Sequence, residues 1–240
     1  MSSDIKDRPK NLVFRYRFVL PDRKKREFLV ELDGLTLDLV RKERKEYPEW
    51  TELAFARCPN CRLKGNGITR CPVAENLVDV VDFFKQELSF EEVDVEIETP
   101  ARNYTKRAPL HYGLSSLMGI YMVTSGCPVL DKLRPMVRMH LPFATMEETL
   151  YRGISMYLIA QYFLYKRGKT PDWEMKNLVD IYLDVGIVNE YFWKRISAVQ
   201  IQDAAVNAVT HLDCYARFTN LSLLEKGLDE IERMFHGYFE

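Results

Sequence analysis

Hydrophobic and polar positions alternate with period two over residues 12–20, where Phe14, Tyr16, Phe18 and Leu20 point one way and Arg15 and Arg17 the other. Residues 27–33 repeat the pattern, with Phe28, Val30 and Leu32 set against Glu27, Glu31 and Asp33. A Pro21-Asp22 turn between the two runs predicts an antiparallel hairpin. Thr51 to Arg57, carrying Leu53 and Phe55, reads as a third strand. A loop of Pro, Gly and Asn with three cysteines follows over residues 58–72. Val73, Leu77, Val80, Val81, Phe84 and Leu88 then recur on one helical stripe. Residues 92–98 alternate strictly, Val93, Val95 and Ile97 against acidic neighbours, and predict another strand. Thr99-Pro100 turns the chain, and Arg102 to Arg107 pairs back as a short edge strand.

After Pro109 the period changes to that of a helix. Leu110, Leu114, Leu117, Met118, Tyr121 and Met122 share a face, and Gly126 is placed to cap its C-terminal end. Residues 127–143 hold three prolines, which allows a short broken helix and a loop. Thr145 with Glu148 forms a capping box opening a helix to about Lys166, and Glu147-Glu148 is accounted for as that helix start. Thr170-Pro171 predicts the N-cap and first position of a helix running towards Arg195. A further helix is expected over roughly 198–217, and Ser222 with Glu225 predicts a second capping box before a terminal helix. The chain therefore reads as α+β: an N-terminal antiparallel sheet with one helix, then an all-helical C-terminal bundle of about five helices. A boundary near residue 108 would divide it into 11–108 and 109–240, as two units or over one shared core. No internal repeat is present.

Composition narrows the classes. The 240 residues are 47% hydrophobic, 12% aromatic and 29% charged, as in an ordinary globular chain, and the formal net charge is -1. The charge is uneven: residues 1–72 carry 17 basic and 11 acidic side chains, whereas residues 73–100 carry 1 and 9. The basic runs Arg23-Lys24-Lys25-Arg26 and Arg41-Lys42-Glu43-Arg44-Lys45 lack interleaved aromatics, so they read as solvated surface and not as a nucleic-acid patch. The first eleven residues are polar, without a signal-peptide pattern. The longest apolar stretch, Gly153 to Tyr165, falls short of the roughly 20 residues that a membrane span needs. A cytoplasmic protein is expected.

The chemistry-bearing lead is the set of cysteines. Cys58-Pro-Asn-Cys61 is a C-x2-C knuckle whose spacing lets two thiolates face one ion, and Cys71 stands beyond a turn containing Gly65 and Gly67. Cys127, in the loop Ser125-Gly126-Cys127-Pro128, is the natural fourth ligand, with His140 or His111 as alternatives for that place. Soft thiolates in this pattern suit a zinc ion or, as the second choice, an iron–sulfur cluster. Reduced structural thiols and thiol redox chemistry are the competing readings. The redox version is the weaker, because the knuckle enters a loop where a thioredoxin-like motif opens a helix. Asp203, Asn207, His211 and Cys214 share one helix face, which is either a second polar site or the wet side of an amphipathic helix; the latter is favoured. The methionines of the helical part read as adaptable core filling. No Glu-x-x-His, GxGxxG, Walker A, HExxH or GxSxG pattern occurs.

Cys58-Pro-Asn-Cys61 to Cys71-Pro-Val-Ala, Gly113-Leu-Ser-Ser, Ser125-Gly-Cys-Pro-Val-Leu-Asp-Lys-Leu-Arg-Pro135 and His140-Leu-Pro-Phe-Ala-Thr145 together resemble an uncharacterised bacterial protein family, a domain of unknown function. The resemblance runs from about Phe14 past Tyr165. It implies a folded whole and a bacterial origin, and brings no catalytic residue with it. The functional expectation is a metal-stabilised interaction or regulatory module with another protein as partner. Its alternative is an iron–sulfur or metal-dependent oxidoreductase using the same cysteines.

Overall fold

The computed structural model describes residues 10–41, 44–63, 67–224 and 228–240. The hairpin forms as expected, β1 (Leu12–Val19) pairing antiparallel with β2 (Lys25–Leu32). Helix α1 (Pro72–Phe84) then leads to β3 (Glu92–Glu98) and β4 (Asn103–Pro109), and the four strands form one antiparallel sheet in the order β2-β1-β3-β4. Six helices follow: α2 (Leu110–Val123), α3 (Pro135–Arg138), α4 (Met146–Lys166), α5 (Lys176–Ser197), α6 (Ala204–Leu224) and α7 (Asp229–Arg233). The fold is α+β, an N-terminal sheet followed by helices.

The sheet explains the uneven charge. Phe14, Tyr16, Phe18, Val30, Val95 and Ile97 are buried on one face. On the other, Arg17 of β1 meets Glu27 of β2 at 2.9 Å and Glu98 of β3 at 2.9 Å, while Arg15 reaches Glu98 at 3.2 Å. The acidic strand is thus the cross-strand complement of the basic one. Lys24 pairs with Glu87, and Arg44 with Asp79 and Asp82 on α1, so parts of both basic runs are drawn towards acidic neighbours. Lys42 and Glu43 lie outside the described residues, as does Gly65.

Helices α1 and α2 cover the apolar face of the sheet. Val73, Leu77, Val80, Val81 and Phe84 form the buried stripe of α1, and Pro72 sits in its first turn, where no backbone donor is lost. Helix α2 approaches β3 closely because Gly113 leaves room: a Cβ there would stand 2.9 Å from Val95 Cγ2. Helix α6 packs against α2, α4 and α5, with Ala204, Ala205, Ala208 and Ala216 at its buried positions. One buried cluster runs from the sheet residues into these helices.

Four local expectations are corrected. Thr51 to Arg57 is not a strand. Glu49–Thr51 is a 3-10 turn, residues 53–56 turn again, and only an isolated bridge joins Glu52 to Arg70. The carbonyls of Trp50, Glu52 and Ala56 bend towards one buried cation, Arg195, instead of a neighbouring strand. Thr170-Pro171 does not start α5, which begins at Lys176 after Met175 in a left-handed conformation. The Asp172 carboxylate does the capping there, accepting from the Asn177 amide at 2.7 Å and from the Tyr157 hydroxyl at 2.7 Å. The helix expected over 198–217 instead spans Ala204–Leu224, because residues 199–202 turn back and the Gln202 amide donates to the Lys85 carbonyl at 2.7 Å. Ser222 therefore lies inside α6, and Glu225 lies outside the described residues. The box at Thr145 and Glu148 forms as expected.

Candidate functional site

Cys58, Cys61, Cys71 and Cys127 line one small cavity of about 20 Å³, room for a single water-sized group. Local structure places each of them. The Cys61 amide closes a turn on the Cys58 carbonyl at 3.0 Å, and the Asn60 side chain pins this knuckle to Asp184 of α5 at 2.9 Å. Cys71 is the N-cap residue of α1, held by its amide to the Thr51 carbonyl at 2.8 Å, and its side chain makes no cap bond. Cys127 follows Gly126, whose φ of +89° suits glycine, and its amide donates to Ser125 Oγ at 3.1 Å. All four thiols are partly buried and free.

Electrostatics ties the set together. Burial pushes Cys58 up to about 12, and Cys71, Cys127 and Cys61 raise it further while Arg195 opposes them. Burial also raises Cys127, against the pull of the Leu130 and Val129 amides. Arg195 is 1% exposed, donates to the Trp50 carbonyl, to Glu52 at 2.6 Å and to Ala56 at 3.0 Å, and lines the same cavity. No carboxylate pairs with it among the described residues. As the side chains stand, no group of three or more His, Cys, Asp or Glu among the described residues could hold a metal ion. The cysteines converge on one cavity without closing to metal-bonding spacing.

Neither alternative fourth ligand is at this cavity. His140 is buried elsewhere, bonded to the Tyr16 hydroxyl and 3.4 Å from Ser116 Oγ, and burial pushes its pKa down to about 3. The His111 ring bonds the Ser89 carbonyl at 2.9 Å. The Asp203, Asn207, His211 and Cys214 face divides among neighbours. Asp203, just before α6, accepts from the Ser89 amide at 2.8 Å and Ser89 Oγ at 2.9 Å, and Asn207 donates to the same Ser89 hydroxyl. His211 bonds Ser115 at 3.1 Å, and Cys214 is exposed. These contacts fasten α6 to the loop after α1 and to α2.

A second, larger cavity of about 190 Å³ lies among α2, the 130–144 segment, α4, α5 and α6. Its wall is mostly apolar in area, with Ile120, Leu130, Val137, Val185 and Leu212, and its polar groups include Ser116, His140, Arg152, Tyr182, Asn189 and His211. Sequence reasoning missed this cavity and Arg195. The available signal for Arg195 was a cation in register with the apolar stripe Val185, Val188 and Phe192 of a predicted helix.

Sheet, helices and cysteine cavity together define an α+β protein with one thiol-rich and one apolar pocket. The chain belongs to DUF6901, a domain of unknown function, whose family model matches residues 14–236. No curated protein and no solved structure matches it. No helix among the described residues is long and apolar enough to cross a membrane.

Proposed function

We propose that the chain is a metal-stabilised interaction or regulatory module in which Cys58, Cys61, Cys71 and Cys127 close on one zinc ion. The observation that carries this reading is the convergence of thiols from two loops, 56 residues apart at Cys71 and Cys127, on one cavity beside a buried guanidinium without a carboxylate. A buried cation is costly unless negative charge lies near it. Four thiolates around a divalent ion leave a net dianion, which would supply that charge. Neutral thiols would not. Closing the ligand set to the roughly 2.3 Å of a zinc–thiolate bond would require the side chains to move inward from where they stand. Such a centre would tie the loop before α1 to the loop after α2, and free thiols of this kind suit a reducing compartment such as the cytoplasm.

The Cys-Pro dipeptides at 58, 71 and 127 favour an iron–sulfur cluster as the second reading. Metal analysis of untagged protein purified without oxygen decides between the two. Stoichiometric zinc in a colourless protein is the expected result, and iron with visible absorbance supports the cluster. Protein free of both, with a melting curve that added zinc leaves unchanged, overturns the metal reading altogether.

A further inference from the structure

The larger cavity has the features of a ligand site: one concave space, an apolar wall and a few convergent polar groups. Its volume, about 190 Å³, exceeds the roughly 150 Å³ that accommodates benzene in an engineered protein cavity. An apolar space of this size leaves the side chains that line it short of packing partners. Its wall also carries charge. Arg152, on α4, donates from Nη2 to the carbonyls of Met136 at 3.1 Å and Met139 at 2.9 Å, at the end of α3. Its Nε is buried and has no hydrogen-bond partner, and no carboxylate pairs with it among the described residues. The Tyr182 hydroxyl, buried and facing Thr219 without reaching hydrogen-bond geometry, is likewise unpartnered. Gly119 leaves the α2 side of the wall open, since a Cβ there would meet only Leu212 Cδ2, at 3.6 Å.

We propose that this cavity binds a small monocarboxylic acid with a compact apolar body, such as an aromatic ring or a short acyl chain, with its carboxylate on Arg152. With both Nη2 hydrogens given to the two carbonyls and Nε closed off by burial, Nη1 is the nitrogen left to offer a carboxylate a charge-assisted hydrogen bond. His140 and His211 on this wall are both neutral at physiological pH. The Glu148 carboxylate that acts on Arg152 is engaged by the Thr145 amide, which leaves Arg152 as the charged wall group that a ligand head would meet. A phosphate would demand more donors than one guanidinium and scattered hydroxyls offer. The site stands independently of the cysteine centre.

Calorimetric titration of the full chain with benzoate and hexanoate, against benzamide and hexanamide, tests this. The carboxylates are expected to bind, and the neutral amides to bind at least about tenfold more weakly. Arg152→Gln should bring benzoate to the level of benzamide. Gly119→Met, which keeps the charge and fills the space, should abolish both. Carboxylates that fail to bind at about 10 mM, well above a millimolar dissociation constant, overturn the proposal. So does benzoate that binds no better than benzamide. If either variant fails to fold, the wild-type comparison of acid with amide is decisive by itself.

Discussion

Arg195 is buried and Arg152 half-buried, neither pairs with a carboxylate among the described residues, and the difference between them lies in what their donors meet. Arg195 reaches three carbonyls of a loop that wraps around it and stands beside the thiols of Cys58, Cys61 and Cys71. Arg152 reaches two carbonyls from Nη2 alone, leaves Nη1 without a hydrogen bond among the described residues, and stands in the wall of an apolar space. The first is occupied in holding the chain in shape. The second has capacity left, which is what a binding group requires. Burial of a cation is therefore poor evidence of role until its hydrogen bonds are counted.

The comparison breaks most visibly at Arg195. Arg195→Leu orphans three carbonyls inside the fold and should cost on the order of 4 kcal/mol in urea denaturation. Arg195→Lys should recover only part of that, because one ammonium cannot span all three acceptors. A loss below about 1 kcal/mol would show that the loop does not depend on this side chain.

Chelation comes next. Removing the ion from metal-loaded protein should lower the melting temperature by several degrees without complete unfolding, because the buried core persists without it. Cys127→Ser protein should show a smaller response, and an equal response in both would detach Cys127 from the centre.

Acid sharpens the other side of the comparison. His140 is held neutral in the folded chain, its pKa pushed down to about 3 by burial and then by Arg152, whereas in the unfolded chain it takes a proton below its ordinary value. The stabilisation is complete above that ordinary value and is lost as pH falls towards about 3. Between pH 6.5 and 5 the loss should approach about 2 kcal/mol, and His140→Gln should flatten that slope. His211, pushed down to about 4 by burial and then by His111, adds a smaller contribution of the same sign because its shift is smaller.

The smallest effect is a gain. Gly119→Ala adds a Cβ with only an ordinary contact in mid-helix and should stabilise the chain by about 0.5–1 kcal/mol. A loss would mean that the α2 wall is less open than its geometry shows.

Much of the fold was legible where one local rule acts alone. Strict alternation marked β1, β2 and β3, and the Thr145 box marked α4 to the residue, because strand pleat and helix capping need only neighbours in sequence. Thr51 to Arg57 carried strand-like residues, but partners more than 100 residues away outweighed that propensity. Thr170-Pro171 misled because the carboxylate of Asp172 captured the helix start further on. The cysteines stood out by spacing. The apolar cavity is built from five segments, each of which reads as ordinary core, so nothing in its local pattern announced a space between them.

The hold of Arg195 on the loop sets an order of events during synthesis. Trp50, Glu52 and Ala56 emerge from a ribosome 139 to 145 residues before the side chain that completes them. At elongation rates of about 5–20 residues per second, that interval is on the order of 10 s. Throughout it the hairpin and α1 can assemble from nearby partners, while the carbonyls of Trp50, Glu52 and Ala56 wait for the side chain that α5 brings.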